Sequence, residues 1–258
     1  MGRQYVAAKS KRKTGPRQTP VETTEQLDRT RARKSWTERD CKDIVPLTDR
    51  QDDAFRSWYQ RADSHLALLG SAGVGKTLLA CYLGINEVLN PKTPQKQLII
   101  VRAANATKEI GFLPGTKEEK EEIFQLPYFD VFRFLFNRAA TYRDMCDAGV
   151  IKFTTTSHIR GLTFENAIVI FDEIQSASRH DIDSLATRLG DDSRLIMIGD
   201  GYQNDLHSKR GTEVSGFDYA VGMMHKIDDF DVIQFTHDDI VRSGFVKKWI
   251  IESERIPK

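Results

Sequence analysis

Apolar residues along this chain fall into short blocks with two alternating spacings. Six blocks, at 65–69, 98–102, 150–154, 167–171, 194–198 and 232–235, are rich in aliphatic and β-branched residues and too short for helices. Between them, the stretches 49–61, 77–89, 117–143, 179–189, 216–224 and 246–253 repeat their apolar positions every three or four residues, as amphipathic helices do. Strands as uniformly apolar as Ile168-Val169-Ile170-Phe171 suit a parallel sheet covered on both faces. The alternation predicts one doubly wound α/β domain over 44–258, a mostly parallel sheet with helices on both sides.

One connection is too long for a plain crossover. Residues 103–149 open with Gly111-Phe112-Leu113-Pro114-Gly115 and continue with the charged run Lys117-Glu118-Glu119-Lys120-Glu121-Glu122. Phe124, Tyr128, Phe129, Phe132, Phe134 and Phe136 follow. The charged run reads as a solvated helix face, and the aromatics read as core in preference to a base-stacking platform.

At 258 residues, 40% hydrophobic and 29% charged, with a mean hydropathy of −0.46, the chain can build a core. No apolar stretch approaches the roughly 20 residues needed to span a bilayer, so no membrane role is expected. No apolar segment follows the basic N-terminus, which is therefore not read as a secretory signal. Cys41, Cys81 and Cys146 stand alone in sequence, which argues against a disulfide framework or zinc site and fits a reducing cytoplasm.

The formal net charge of +1 hides an asymmetry. Residues 1–20 carry Arg3, Lys9, Lys11, Arg12, Lys13 and Arg17 and no acidic side chain. The segment stays polar to residue 43, with Gly15, Pro16 and Pro20 interrupting any regular element. Residues 1–43 are expected to be a basic, disordered arm, either a solubilising tail or a contact for a phosphate backbone.

The strongest chemical signal is Gly70-Ser71-Ala72-Gly73-Val74-Gly75-Lys76-Thr77. It matches the phosphate-binding loop pattern G-x-x-x-x-G-K-S/T. In such a loop backbone N–H groups surround the β-phosphate, the Lys76 ammonium reaches the β/γ oxygens, and the Thr77 hydroxyl is an Mg²⁺ ligand. The context agrees, because an apolar block precedes the loop and a helix opening at Leu78 presents its N-terminus to the phosphates. These residues read as a nucleoside triphosphate site.

A second cluster ends the apolar block Ala167-Ile168-Val169-Ile170-Phe171 with Asp172-Glu173. Asp172 would hold Mg²⁺, directly or through water, while Glu173 would orient and polarise an attacking water. A third strand end reads Gly199-Asp200-Gly201-Tyr202-Gln203. There the Gln203 amide would sense the γ-phosphate and the water, or Asp200 and Gln203 would only complete a turn.

Taken in order, these clusters together with Gly111–Gly115, Ile159-Arg160-Gly161-Leu162-Thr163, Ile174-Gln175, Thr187-Arg188-Leu189-Gly190, Asn204-Asp205-Leu206 and Asp239-Ile240-Val241-Arg242 resemble the PhoH family. That family consists of P-loop ATPases similar to the first motor domain of superfamily 1 helicases. The resemblance covers about residues 45–255 and leaves the basic arm outside. It implies a single RecA-like P-loop domain that hydrolyses ATP with Mg²⁺ and acts on single-stranded RNA or DNA. It places Gln51 where related proteins read adenine. It assigns Arg242 to the γ-phosphoryl charge, with Arg160 and Arg188 as rivals. A single motor lobe further implies a homo-oligomer, possibly a hexameric ring, with an arginine supplied across the interface. The competing reading is an ATPase switch that drives a protein partner without nucleic acid. A nucleotide kinase is disfavoured, since no arginine-rich lid is evident.

Overall fold

The structure is a computed structural model describing residues 36–103, 117–203 and 216–256, with backbone alone at 117–121 and 203. The loop Gly111–Gly115, the Asn204-Asp205-Leu206 segment and residues 1–35 of the arm lie outside the described residues.

The strands are β1 (His65–Leu69), β2 (Gln97–Arg102), β3 (Ile151–Thr155), β4 (Ala167–Asp172), β5 (Arg194–Gly199) and β6 (Phe230–Gln234). They form one parallel sheet in the order β3-β2-β4-β5-β1-β6. The helices are α1 (Asp49–Gln60), α2 (Lys76–Leu89), α3 (Lys117–Phe136), α4 (Thr141–Asp147), α5 (Arg179–Ala186), α6 (Gly216–Met224) and α7 (Gly244–Arg255). β5 lies between the strand feeding the phosphate loop and the strand ending in the two carboxylates, which is the RecA-like order. Because all strands run the same way, their carboxyl ends share one edge, where α/β sheets bind ligands.

Side-chain alternation divides the core in two. Leu66, Leu68, Leu98, Ile100, Ile168, Ile170, Ile196 and Ile198 face α1 to α4, while Ala67, Leu69, Ile99, Val101, Val169, Phe171, Leu195 and Met197 face α5 and α6. Each large aliphatic side chain buried there contributes on the order of 2 kcal/mol. α2 lies so close to the sheet that a Cβ on Gly84 would approach Leu98 Cδ1 to 2.8 Å.

Two expectations need correction. The helix expected over 117–143 is two helices, because Asn137 adopts φ 51° and ends α3 before α4 begins. Asparagine tolerates that left-handed backbone better than most residues. Residues 36–43, expected to belong to the disordered arm, pack on the domain. Trp36 sits edge-on to Phe136 with centroids 5.5 Å apart, the Lys42 N–H donates to the Leu135 carbonyl at 2.7 Å, and Cys41 is buried. Of the aromatics expected in the core, Phe124, Tyr128, Phe132 and Phe136 are buried and Phe129 is half-buried, whereas Phe134 lies on the outer side of α3 and is 47% exposed.

Candidate active site

The residues 70–77 connect β1 to α2 at the carboxyl edge of the sheet. Gly73 and Gly75 take φ of 82° and 89°, a region that would strain any side chain with a Cβ. The loop thus turns its backbone around a cleft of about 490 Å³, within the size range of small-molecule sites. Lys76, Thr77 and Leu78 open α2 and line the cleft with Ala72, Gly73 and Gly75. Lys76 Nζ donates to the carbonyls of Gly70 at 2.6 Å and Ser71 at 2.7 Å. Burial lowers the Lys76 pKa, and Asp200, Glu173, Asp172 and Glu254 oppose that shift with negative charge.

Asp172 ends β4 and Glu173 follows it into the cleft. Asp172 Oδ1 accepts from the Glu173 N–H at 2.9 Å, and Oδ2 accepts from the Tyr128 hydroxyl at 2.8 Å. Burial, then the adjacent Glu173 carboxylate, pushes the Asp172 carboxyl up to about 6, against the pull of Tyr128, Arg102 and the Glu173 N–H. A divalent cation would relieve that crowding of negative charge, so Asp172 with the Thr77 hydroxyl fits a magnesium site. Glu173 has a left-handed backbone (φ 59°, ψ 43°), a strain of order 1–3 kcal/mol that clusters at functional sites.

Gln175 connects the two strand ends. Its Nε2 donates to Glu173 Oε2, and its Oε1 accepts from the Asp200 N–H at 3.0 Å. The buried amide thereby orients the carboxylate while fixing the end of β5. The one-turn segment Gly201–Gln203 follows directly, so the Gln203 backbone lies just beyond this end, while its side chain is outside the described residues.

The three arginines separate. Arg242 lines the cleft of its own chain, and a Cβ placed on Gly73 would meet its Cγ at 2.9 Å. Arg242 thus lies against the phosphate loop of its own chain. Arg160 pairs with the His180 ring at 3.0 Å, outside the cleft lining. Arg188 is at the opposite end of the sheet: its carbonyl accepts from Phe164 and its guanidinium approaches the Leu162 carbonyl, just ahead of the start of β5.

Gln51, placed by the resemblance at the adenine, is next to the phosphate loop. It is buried behind the loop, with Nε2 donating to the Val74 carbonyl at 3.0 Å and Oε1 accepting from the Leu47 N–H at 2.8 Å. In this structure the amide braces the phosphate loop and does not line the cleft. Ser71 turns away too, donating to Glu254 Oε2 at 3.1 Å, and His237 Nε2 meets the same oxygen at 2.5 Å. Val74 is buried.

Sequence reasoning missed several contributors. Tyr128 looked like a core aromatic, and its four-residue spacing with Phe124 and Phe132 gave no sign of a hydroxyl at Asp172. Gln175 was visible within Asp-Glu-Ile-Gln but had no assigned role. Glu254 is 183 residues from Ser71, and no local pattern announces that pair.

A family model described as PhoH-like protein matches residues 43–253. The PhoH-like protein of Bacillus subtilis (strain 168) is 34% identical over 186 residues, covering 72% of this chain and 56% of its own length. Protein PhoH of Escherichia coli (strain K12) is 29% identical over 216 residues, covering 81% and 59% respectively. The chain thus spans little more than half the length of these curated relatives. Among solved structures, the HK97 bacteriophage large terminase aligns over 89% of this chain and 52% of its own, at 13% identity and a TM-score of 0.49.

Proposed function

We propose, since this chain belongs to the PhoH-like family, that it hydrolyses ATP with Mg²⁺ and couples hydrolysis to single-stranded nucleic acid, RNA in preference to DNA. The observation that carries the hydrolytic part is the convergence of Lys76, Thr77, Asp172, Glu173 and Arg242 on one cleft.

The roles follow from position. N–H groups of residues 70–77 and the Lys76 ammonium bind the β/γ-phosphates. Thr77 and Asp172 hold Mg²⁺, which when bound offsets phosphate charge. Glu173, fixed by Gln175, orients a water in line with the γ-phosphorus and draws its proton. The water oxygen bonds to phosphorus as the bond to the β–γ bridging oxygen breaks, releasing ADP and phosphate. Arg242 offsets charge on the transferring group, and Gln203, just past β5, senses it. The basic segment 1–20 adds contacts to the strand backbone. The same reading includes a homo-oligomer, in its fullest form a hexameric ring, and work in the cytoplasm, in keeping with the free cysteines 41, 81 and 146.

The test is turnover by the full chain, with and without single-stranded RNA and DNA. Lys76→Ala is expected to weaken both nucleotide affinity and turnover. Glu173→Gln keeps shape and is expected to retain nucleotide while losing about two or more orders of magnitude in kcat. Near-normal turnover in Glu173→Gln would remove that residue from the mechanism. Turnover indifferent to every strand would favour a switch acting on a protein partner.

A further inference from the structure

α7 has two unlike faces. Its inner side lies against the phosphate loop, where a Cβ on Gly73 would sit 3.3 Å from Ile250 Cδ1 and where Glu254 accepts from Ser71. Its outer side carries Phe245 and Trp249, 73% and 67% exposed, large apolar rings left in water. The two rings lie 6.0 Å apart at an interplanar angle of 40°. Lys248 is three residues after Phe245 and one before Trp249, so helical geometry puts ring, cation and ring on one face.

The charge preceding and between these rings is positive. Between residues 240 and 251 the chain carries Arg242, Lys247 and Lys248 and no acidic side chain. Of the nearby acids, Asp239 caps Thr236, Glu254 is held by Ser71 and His237, Asp238 lies beside Lys247, which donates to its carbonyl, and Glu252, one turn after Lys248 on the same face, pairs with Arg255. The helix also begins without a side-chain cap, because Ser243 makes no capping hydrogen bond among the described residues. Its first N–H groups and its dipole therefore add further positive potential at the same end.

Exposed rings beside lysines, with the carboxylate on the same face, Glu252, already paired with Arg255, match one occupant. Bases stack on aromatic faces regardless of sequence, while lysines and arginines follow the phosphates. An apolar protein surface would satisfy the rings but would leave Lys247 and Lys248 without counter-charge. We infer that the outer face of α7, built from Phe245, Lys248 and Trp249 with Lys247 beside them, is a stacking platform for single-stranded nucleic acid. This inference rests on the proposed coupling to a strand and states where that strand binds. The inner face of the same helix touches Gly73 and Ser71, so a strand on α7 is one helix thickness from the phosphate loop.

The test is fluorescence anisotropy of labelled oligo-U and oligo-dT of about 16 nucleotides, the upper end of a single-module site. Phe245→Ala and Trp249→Ala in the full chain are expected to weaken binding about tenfold or more each, while Trp249→Phe keeps most of the affinity. Lys248→Gln is expected to reduce the log–log salt slope by about 0.7, the share of one single-strand phosphate contact. ADP affinity, measured in parallel, reports an intact phosphate loop. If the unaltered chain binds strands and the alanine variants bind equally well, the platform is overturned while the coupling stands. If the unaltered chain hydrolyses ATP but binds no strand, the coupling fails and the platform with it. If the variants keep strand affinity but lose mass by light scattering, the face joins two copies of this chain and the platform is overturned.

Discussion

The Tyr128 hydroxyl donates to Asp172 Oδ2 at 2.8 Å, joining the helix inserted between β2 and β3 to the carboxylate expected to hold magnesium. The ring is fully buried, and Arg102 approaches the same helix by donating to the Phe124 carbonyl at 3.1 Å. α3 also lines the cleft with Pro127, Asp130 and Val131. The long insertion is thus part of the site wall and fixes the orientation of one of its acids.

Tyr128→Phe keeps the packing and removes only the hydroxyl. Loss of a group that orients a metal ligand commonly costs about tenfold or more in metal affinity or activity. The Mg²⁺ concentration at half-maximal turnover is expected to rise by that order, with metal-free ADP affinity unchanged. A magnesium titration of turnover beside calorimetric ADP binding checks this. An unchanged magnesium midpoint would mean that the hydroxyl serves packing alone.

Because Arg242 lies on its own chain's Gly73, its contribution is expected within one subunit. Arg242→Ala should lower kcat by about 10³, the lower end of what an arginine at the transferring phosphoryl group provides. Mixing Arg242→Ala chains with Glu173→Gln chains should restore no turnover. Recovery in the mixture would place the acting arginine across an interface.

At the amino edge of the sheet, Arg194 is held on every side. It pairs with Glu87 at 2.7 Å, donates to the carbonyls of Ser64, Trp58 and Arg61 at 3.0 Å each, and lies 3.4 Å from the Trp58 ring centroid. Both partners are under 10% exposed, so removing one leaves a buried charge. Glu87→Ala is expected to cost about 3–5 kcal/mol, and replacing both residues with apolar ones of similar volume less than the two single losses combined. Denaturant midpoints of the two single variants and the double variant measure this.

His65 supplies the pH dependence that is simplest to isolate. Its Nδ1 accepts from the Leu195 N–H at 3.1 Å, and burial, helped by Arg194, lowers its pKa. The folded value therefore lies below the unfolded value near 6.5, and the unfolded chain takes up the proton first. The stabilisation is complete above the unfolded value and is lost as pH falls toward the folded one. His65→Asn keeps an acceptor in place of Nδ1 but does not titrate, so urea unfolding from about pH 7 to 5 should show a shallower decline. An equal slope in both proteins would assign the dependence to other groups.

The apolar blocks, the phosphate loop and the carboxylate pair were legible in the sequence because each is a local matter. Burial on both faces requires continuous apolar strands, and a loop that turns its N–H groups inward requires glycines at 73 and 75. The break at Asn137 was less visible, since a single left-handed residue leaves the apolar spacing on either side intact. Tertiary structure decided the pairings between distant residues. Gln51 and Arg188 sit in motifs that suit the cleft, yet one braces Val74 from behind and the other lies at the far end of the sheet. Tyr128 and Glu254 sit in stretches that read as ordinary helix faces, yet they reach Asp172 and Ser71 across 44 and 183 residues. A side chain's spacing reports which face of its own element it occupies, whereas strand order and helix packing determine what that face meets.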